Sequence, residues 1–152
     1  MTRVCLVGKD DVELRYELVS RETARDALAT YELTAPYQNT VALETVSLGA
    51  AVSILNDLNW YLVRFADCAL VREPSVSTEE WLSRDLAEAV RDGETATDQT
   101  GTYLRVYGLV ADDLVEPTYA SRIEGAVPEY DLPPVDDTVV VRVTEADVGA
   151  CS

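Results

Sequence analysis

The balance of charge is the strongest constraint on how this chain can fold. Its 152 residues include 28 acidic and 12 basic side chains and no histidine, which gives a formal net charge of −16 at pH 7. In dilute buffer such a surplus repels itself across the whole molecule, because the Debye length at about 0.01 M salt is about 30 Å. At about 1 M salt it falls to about 3 Å. The sequence therefore predicts a chain that folds compactly in concentrated salt.

The kinds of charged residue indicate the environment of the protein. Eleven of the 12 basic residues are arginine, and Lys9 is the only lysine. A composition so acidic and so poor in lysine resembles that of haloarchaeal proteins, and it predicts a halophilic protein in a high-K⁺ environment. A nucleic-acid mimic is the alternative, but the acids are spread along the chain rather than gathered into one strip. We expect no nucleic-acid partner, because no basic stripe could release counterions.

Cysteine and histidine usage excludes several kinds of site. Cys5, Cys68 and Cys151 lie far apart, are odd in number and form no CxxC pair, so neither a disulfide framework nor structural zinc is expected. Without histidine, nucleophile arrangements of the Ser-His-Asp and Cys-His kinds are excluded. The many acids offer too many accidental pairs to identify a catalytic one. We therefore expect no cofactor and assign no catalytic residue, and the sequence favours a protein that is not an enzyme.

No segment is predicted to enter or cross a membrane. Residues 1–9 contain no long apolar stretch of the kind found in a signal peptide. The most apolar region, 46–71, is interrupted by Asp57, Arg64 and Asp67, so it cannot cross a bilayer as one helix. We expect a cytoplasmic protein with no membrane partner.

Hydrophobic periodicity predicts one α+β domain over residues 1–152. Strands are predicted at 3–8, 12–19, 60–72, 103–110 and 138–143, and helices at 20–31, 47–58 and 77–93. Residues 12–19 also fit a helix, which is the alternative there. Residues 112–137 are predicted to form an acidic, proline-containing loop and 145–152 a tail. The expected architecture is a mixed sheet of about four to five strands packed with about three helices.

One pattern is similar to the response-regulator receiver domain. Asp10 and Asp11 follow the first predicted strand, as the magnesium-binding acid pair does in that family, and Asp57 would be the phospho-accepting aspartate. The departures are serious, because that family needs a lysine late in the domain and this chain has none after Lys9. Residues 48–58 also have a helical rather than an extended period. A turn at Asp10 and Asp11 and a helix end at Asp57 are the favoured interpretation.

A set of arginines and aromatic residues is the main candidate for binding a ligand or partner. Because arginine binds carboxylates and phosphates through two parallel hydrogen bonds, arginines that gather in so acidic a protein could hold an anionic ligand or anchor a partner. The alternative is that each arginine pairs with a neighbouring acid and that the aromatic residues belong to the core. The candidates are Arg21, Arg25, Arg64, Arg72, Trp60 and Tyr61.

Three stretches resemble a small family of haloarchaeal proteins, a domain of unknown function without an assigned activity. They are 15–33 (RYELVSRETARDALATYEL), 43–65 (LETVSLGAAVSILNDLNWYLVRF) and 71–93 (VREPSVSTEEWLSRDLAEAVRDG). The resemblance covers the whole chain. It implies a halophilic cytoplasmic protein, and it implies no reaction and no site residues.

Three functions remain open from the sequence. The first is a non-enzymatic protein-interaction or regulatory module, which recognises a partner protein or a second copy of itself through residues 56–65 and the acidic loop. The second is a small anionic-ligand binder or enzyme with a pocket of arginine, tyrosine and carboxylates. The third is a receiver-like, magnesium-dependent phospho-acceptor.

The charge surplus leads to a prediction about stability. We expect the midpoint of thermal unfolding to rise by about 10 °C or more between about 0.05 M and about 2 M KCl, because screening removes the repulsion among carboxylates in the compact state. Differential scanning calorimetry over a KCl series measures this shift. A protein equally resistant to heat in dilute buffer would contradict the salt requirement.

Overall fold

A computed structural model gives the fold of residues 1–95, 100, 103–111, 113–121 and 137–144, with the backbone alone for 115–121 and 137. Within these residues the chain forms seven strands and five helices. In chain order they are β1 (Thr2–Gly8), α1 (Leu14–Val19), α2 (Glu22–Leu28), β2 (Thr40–Thr45), α3 (Leu48–Asp57), α4 (Asn59–Phe65), β3 (Ala66–Arg72), β4 (Trp81–Ser83), α5 (Arg84–Arg91), β5 (Tyr103–Val110), β6 (Asp113–Ser121) and β7 (Asp137–Val143). None of the described helices is long and apolar enough to cross a membrane.

The seven strands form one mixed sheet in the order β2-β1-β3-β4-β7-β5-β6. Neighbouring strands are antiparallel, except that β4 and β7 run parallel. The sheet curls into a half-barrel. The amide nitrogen Nε2 of Gln38, just before β2, donates to the carbonyl oxygen of Ala111, just after β5, at 2.6 Å. This contact shows the curl directly, because β2 and β5 lie near opposite ends of the strand order.

Each face of the sheet carries its own hydrophobic core. Because successive side chains of a strand point to opposite faces, Val4 and Leu6 of β1 pack beneath the helices, on what we call the outer face. Cys5 packs on the opposite, inner face with Trp81 and Tyr107. The inner core draws residues from six strands, β1 to β5 and β7. Curling therefore lets the sheet bury its inner face against itself.

Serine caps and one glycine set the ends of the longer helices. The Ser47 hydroxyl accepts a hydrogen bond from the backbone N–H of Ala50 at 3.1 Å and so caps α3. Ser83 caps α5 in the same way through the N–H of Leu86, at 3.2 Å. Gly93 has φ +76° and stands one residue after the C-cap of α5, where a left-handed residue is favoured.

The predicted sheet of four to five strands with three helices is wrong. Strands β2, β4 and β6 were not predicted, and residues 14–19 form the helix α1 instead of a strand. Leu14 and Leu18, four residues apart, are both fully buried, whereas Tyr16 is 61% exposed. Because the buried residues recur at helical spacing, the segment is the helix that was the alternative for residues 12–19, and the predicted strand there is wrong. The first half of the strand predicted at 60–72 is also helical, as α4, and only its second half is β3.

The helix predicted from Ser77 begins later, at Arg84. The Ser77 hydroxyl does accept hydrogen bonds from the N–H groups of Glu79 and Glu80, at 3.3 and 3.0 Å, but these close a local turn. The next residues form β4, which puts Trp81 into the inner core at 1% exposure. The segment 112–137, predicted as a loop, contains β6. The rest of that segment, 122–136, and the predicted tail 145–152 lie outside the described residues.

Four predicted elements are confirmed. Strands were expected at 3–8, 103–110 and 138–143, where β1, β5 and β7 lie, and α3 begins after Ser47 and ends at Asp57. The helix α2 occupies the middle of the range predicted at 20–31. The four confirmed elements share strong local signals, a serine cap for α3 and a compact apolar run for the three strands.

Asn39, just before β2, connects the start of that strand to the turn between β1 and α1 through side-chain hydrogen bonds. Its side-chain amide donates to the carbonyl oxygens of Lys9 and Val12, both at 2.9 Å, and its Oδ1 accepts from the N–H of Leu14 at 2.9 Å. Asn39 itself adopts φ 53°, a conformation that asparagine tolerates better than most residues. A Cβ on Gly8 would lie 2.6 Å from Nδ2 of Asn39, so only glycine fits there.

The role of Asn39 can be tested with Asn39→Asp. The carboxylate keeps the acceptor for Leu14 but cannot donate to the carbonyls of Lys9 and Val12, so we expect a loss of about 1–2 kcal/mol in the free energy of unfolding. Denaturant titration in concentrated KCl measures it. Asn59→Asp is the matched control, because Oδ1 of Asn59 accepts from Arg84 at 2.8 Å and a carboxylate preserves that bond. Equal losses in the two variants would contradict this role.

Candidate functional site

Four of the six candidate binding residues, with Phe65, form one group at the surface of the helical layer. Trp60 is 49% exposed, and the guanidinium carbon of Arg64 lies 3.7 Å from its ring centroid. The guanidinium carbon of Arg21 lies 5.9 Å from the same centroid and 4.9 Å from the ring centroid of Phe65. The Tyr61 ring meets Trp60 edge-on, with 5.0 Å between centroids. We call Arg21, Trp60, Tyr61, Arg64 and Phe65 the Trp60 surface.

Local contacts hold both arginines of the Trp60 surface in place. Nη1 of Arg64 donates to the backbone carbonyl of Trp60, one helical turn earlier, at 3.0 Å. Arg21 forms an ion pair with Glu17 of α1 at 3.1 Å. Guanidinium groups are attracted to the faces of aromatic rings, which adds to these contacts. The result is a partly exposed tryptophan with two guanidinium groups beside its ring, of which that of Arg21 is already paired with Glu17.

Further exposed groups extend the Trp60 surface. Nζ of Lys9 donates to the carbonyl of Val63 on α4 at 3.4 Å, so the only lysine of the chain lies against the same helix. The side chain of Val63 is 62% exposed and that of Tyr16, on the neighbouring α1, is 61% exposed. Cationic and apolar groups are thus mixed on one exposed area of an acidic protein.

The structure does not bring the other two candidates to this area. Arg25 lies in the last turn of α2, on an exposed position. Arg72 ends β3 on the inner face of the sheet, where its guanidinium carbon lies 4.1 Å from the ring centroid of Trp81. The predicted set of arginines is therefore divided between the helical layer and the inner face.

Two arginines that were not predicted as candidates share the inner face with Arg72. Arg3 is the direct cross-strand partner of Arg72, and Arg105, which is 1% exposed, pairs with Val141 in the same core. Period-two alternation in RVCLVG puts Arg3 on the side of Cys5, and in YLRVYGLV it puts Arg105 on the side of Tyr107. This alternation is the sequence signal that could have placed Arg3 and Arg105 on the inner face.

The acids of the receiver-like alternative do not converge. Asp10 and Asp11 line a cleft of about 510 Å³ beside Glu13, Arg15 and Asn39. Asp57 is not part of that lining and lies in the last turn of α3, as the favoured interpretation had it. Among the described residues, no group of three or more His, Cys, Asp or Glu side chains could hold a metal ion.

The thiol of Cys5 is unreactive at neutral pH despite the arginines near it. Burial raises the pKa of its thiol from 9.0 to about 12, and the neighbouring Cys68 adds to the rise. The positive charge of Arg3, a hydrogen bond with Thr40, and the positive charge of Arg72 each lower the pKa. Together they do not offset the rise that burial causes. At neutral pH the thiol is therefore protonated, and Cys5 serves as a small core residue rather than a nucleophile.

The state of Cys5 leads to a prediction about its reactivity. At pH 8 its thiolate should be about 10³-fold scarcer in the folded protein than in the denatured chain, because that pH lies below both pKa values. We expect iodoacetamide to alkylate Cys5 slower by at least that factor, as measured by mass spectrometry of peptides. The same protein in guanidinium chloride is the control, and similar rates in both states would contradict the prediction.

Comparison with known proteins gives a family without an activity. No curated protein and no solved structure matches the chain. One family model, described as a family of unknown function (DUF5804), matches residues 2–109, a range that includes the Trp60 surface as well as Arg3 and Arg72. Because that match spans more than half of the chain, the protein belongs to the family of unknown function DUF5804.

Proposed function

We propose that this protein is a non-enzymatic interaction module that binds a partner protein through the Trp60 surface. The observation that carries the proposal is the partly exposed ring of Trp60 with the guanidinium groups of Arg64 and Arg21 beside it. Tryptophan and arginine are among the residues most enriched in the energetic centres of protein interfaces. The exposed Val63, three residues after Trp60 on the same helix, supplies apolar area beside that centre.

Charge complementarity indicates the kind of partner. In a chain with 28 acids and 12 bases, Arg21, Arg64 and Lys9 all lie on or beside the Trp60 surface. A partner segment that combines carboxylate side chains with an apolar residue would match these groups, since arginine binds carboxylates through two parallel hydrogen bonds. In concentrated salt the long-range repulsion by the other carboxylates is screened, so direct contact of such a segment with these cationic groups determines where it docks. A cytoplasm rich in K⁺ is the setting that the composition favours.

Variants of the Trp60 surface test the proposal. The tagged protein is used to capture partners in about 2 M KCl, and the captured protein is then purified so that its dissociation constant can be measured by calorimetry. We expect Trp60→Ala to weaken binding at least about 30-fold, the effect of losing an interface centre worth about 2 kcal/mol. Arg64→Gln should weaken it as well. Val110→Ala is the control, because Val110 is 43% exposed but lies on β5.

Three results would overturn the proposal. A partner that binds Trp60→Ala as tightly as the unchanged protein uses another surface, and a partner without an acidic segment contradicts the charge argument. If sedimentation shows that the protein alone forms a dimer that Trp60→Ala dissociates, the Trp60 surface serves self-association instead.

A further inference from the structure

A second cluster of cations lies on the inner face of the sheet, away from the Trp60 surface. Arg3 of β1 and Arg72 of β3 are cross-strand partners, and the register of β3 and β4 continues this row to Trp81. In an antiparallel pair, side chains that stand directly opposite have Cβ atoms about 4.5–5.5 Å apart. Two guanidinium groups therefore start from neighbouring positions on one face, next to an indole.

Neither arginine is neutralised within the described part of the chain. The ion pairs there of 4.0 Å or less involve Arg21, Arg84, Arg91 and Arg142, and not Arg3 or Arg72. Nη2 of Arg3 donates only a long hydrogen bond, 3.5 Å, to the hydroxyl of Thr34. Thr34 pairs with Ala42 on the far side of β2, so the guanidinium group of Arg3 extends away from that of Arg72, as two like charges at neighbouring positions do. An anion bound between the two strands would draw both groups to one ligand.

Two buried N–H donors beside this pair also lack an acceptor. They are Nε of Arg72 and Nε1 of Trp81, and within the described residues neither has a hydrogen-bond partner. Trp81 is 1% exposed, and the Arg72 guanidinium carbon lies 4.1 Å from its ring centroid. A buried donor without an acceptor costs about 1–3 kcal/mol, so proteins rarely keep one unless something completes it.

We propose that Arg3, Arg72 and Trp81 form a binding site for a phosphate dianion. Two guanidinium groups carry two positive charges, and a phosphate group carries about −1.5 to −2 at pH 7 with three strong acceptor oxygens. A single carboxylate would balance only one of the two charges. The site can take inorganic phosphate or the phosphate group of a small organic monoester. It is independent of the Trp60 surface and does not rest on the function proposed there.

Glu44 is the carboxylate that competes most directly with such a ligand. It is the cross-strand partner of Arg3 on β2, on the side away from Arg72, and it is exposed. No ion pair of 4.0 Å or less joins it to Arg3 within the described residues. Glu44 would repel a phosphate near Arg3, so Glu44→Gln should strengthen binding.

The two tryptophans of the chain make the site measurable. In Trp60→Phe the remaining tryptophan is Trp81, whose fluorescence reports on its surroundings. Inorganic phosphate, glycerol phosphate and acetate are titrated into this protein in concentrated KCl at constant ionic strength. We expect a saturable change with both phosphates, and acetate weaker by at least about 10-fold because it carries one charge. A tighter constant for glycerol phosphate shows that the site also contacts the organic part of a monoester, and equal constants show that it recognises the phosphate group alone.

Charge-matched variants separate this site from general attraction. In the Trp60→Phe protein, Arg3→Gln should weaken phosphate binding at least about 10-fold, the cost of one charged hydrogen-bonding group, and it leaves the contact between Arg72 and Trp81 intact. Arg72→Gln should have a similar effect. Because this substitution also changes the surroundings of Trp81, binding is measured here by melting temperature, and the increase that phosphate gives should be lost. Arg25→Gln makes the same change of charge on an exposed helix and should alter binding less than about twofold.

Several outcomes would overturn the site. They are no saturable response of Trp81 to either phosphate, acetate binding as tightly as phosphate, or Arg25→Gln weakening binding as much as Arg3→Gln. If Arg72→Gln does not fold, the result with Arg3→Gln decides.

Discussion

The fold depends on burying both faces of its central strands at once. Leu6 and Leu70 lie on opposite faces of the sheet, and each is fully buried. Helices bury the outer face, but no helix of the described chain contributes to the inner core. Within the described residues it is the curl of the sheet that covers that face, because it brings Tyr107 of β5 over Cys68 of β3, with 3.5 Å between hydroxyl and sulfur. A flat sheet of these strands would leave the inner side chains in water.

Two-sided burial explains which elements could be predicted from the sequence. A strand buried on both faces has no alternation of apolar and polar residues, so β1 was found only as an apolar run ended by glycine. The six residues of β2 give an even weaker signal. The helix α4 was taken for a strand because aromatic and branched residues favour strands, yet its burial at Leu62, with exposed Trp60 and Val63, is that of a surface helix.

The candidate residues could be named from composition, but their grouping needed the fold. Arg64 and Trp60 are four residues apart on one helix, so their contact follows from helical spacing once α4 is a helix. The addition of Arg21 depends on how α1, with which it pairs through Glu17, packs against α4, and no local pattern reveals that packing. Arg72 shares its residue type with these groups but lies on the other face of the sheet. Face assignment, rather than residue type, separates the two clusters.

The two clusters should respond differently to salt, because they differ in exposure and in how they bind. At about 1 M salt, attraction between exposed charges is screened within about 3 Å, so steering of an acidic partner toward Arg21 and Lys9 is weak there. Contact of a partner with the ring of Trp60 is less affected, since burial of apolar surface does not depend on screening. Arg72 has its Nε buried against Trp81, and partly buried charges are screened much less. An anion held by direct hydrogen bonds at Arg3 and Arg72 would therefore keep more of its attraction in concentrated salt than the exposed ion pair of Arg21 and Glu17 does.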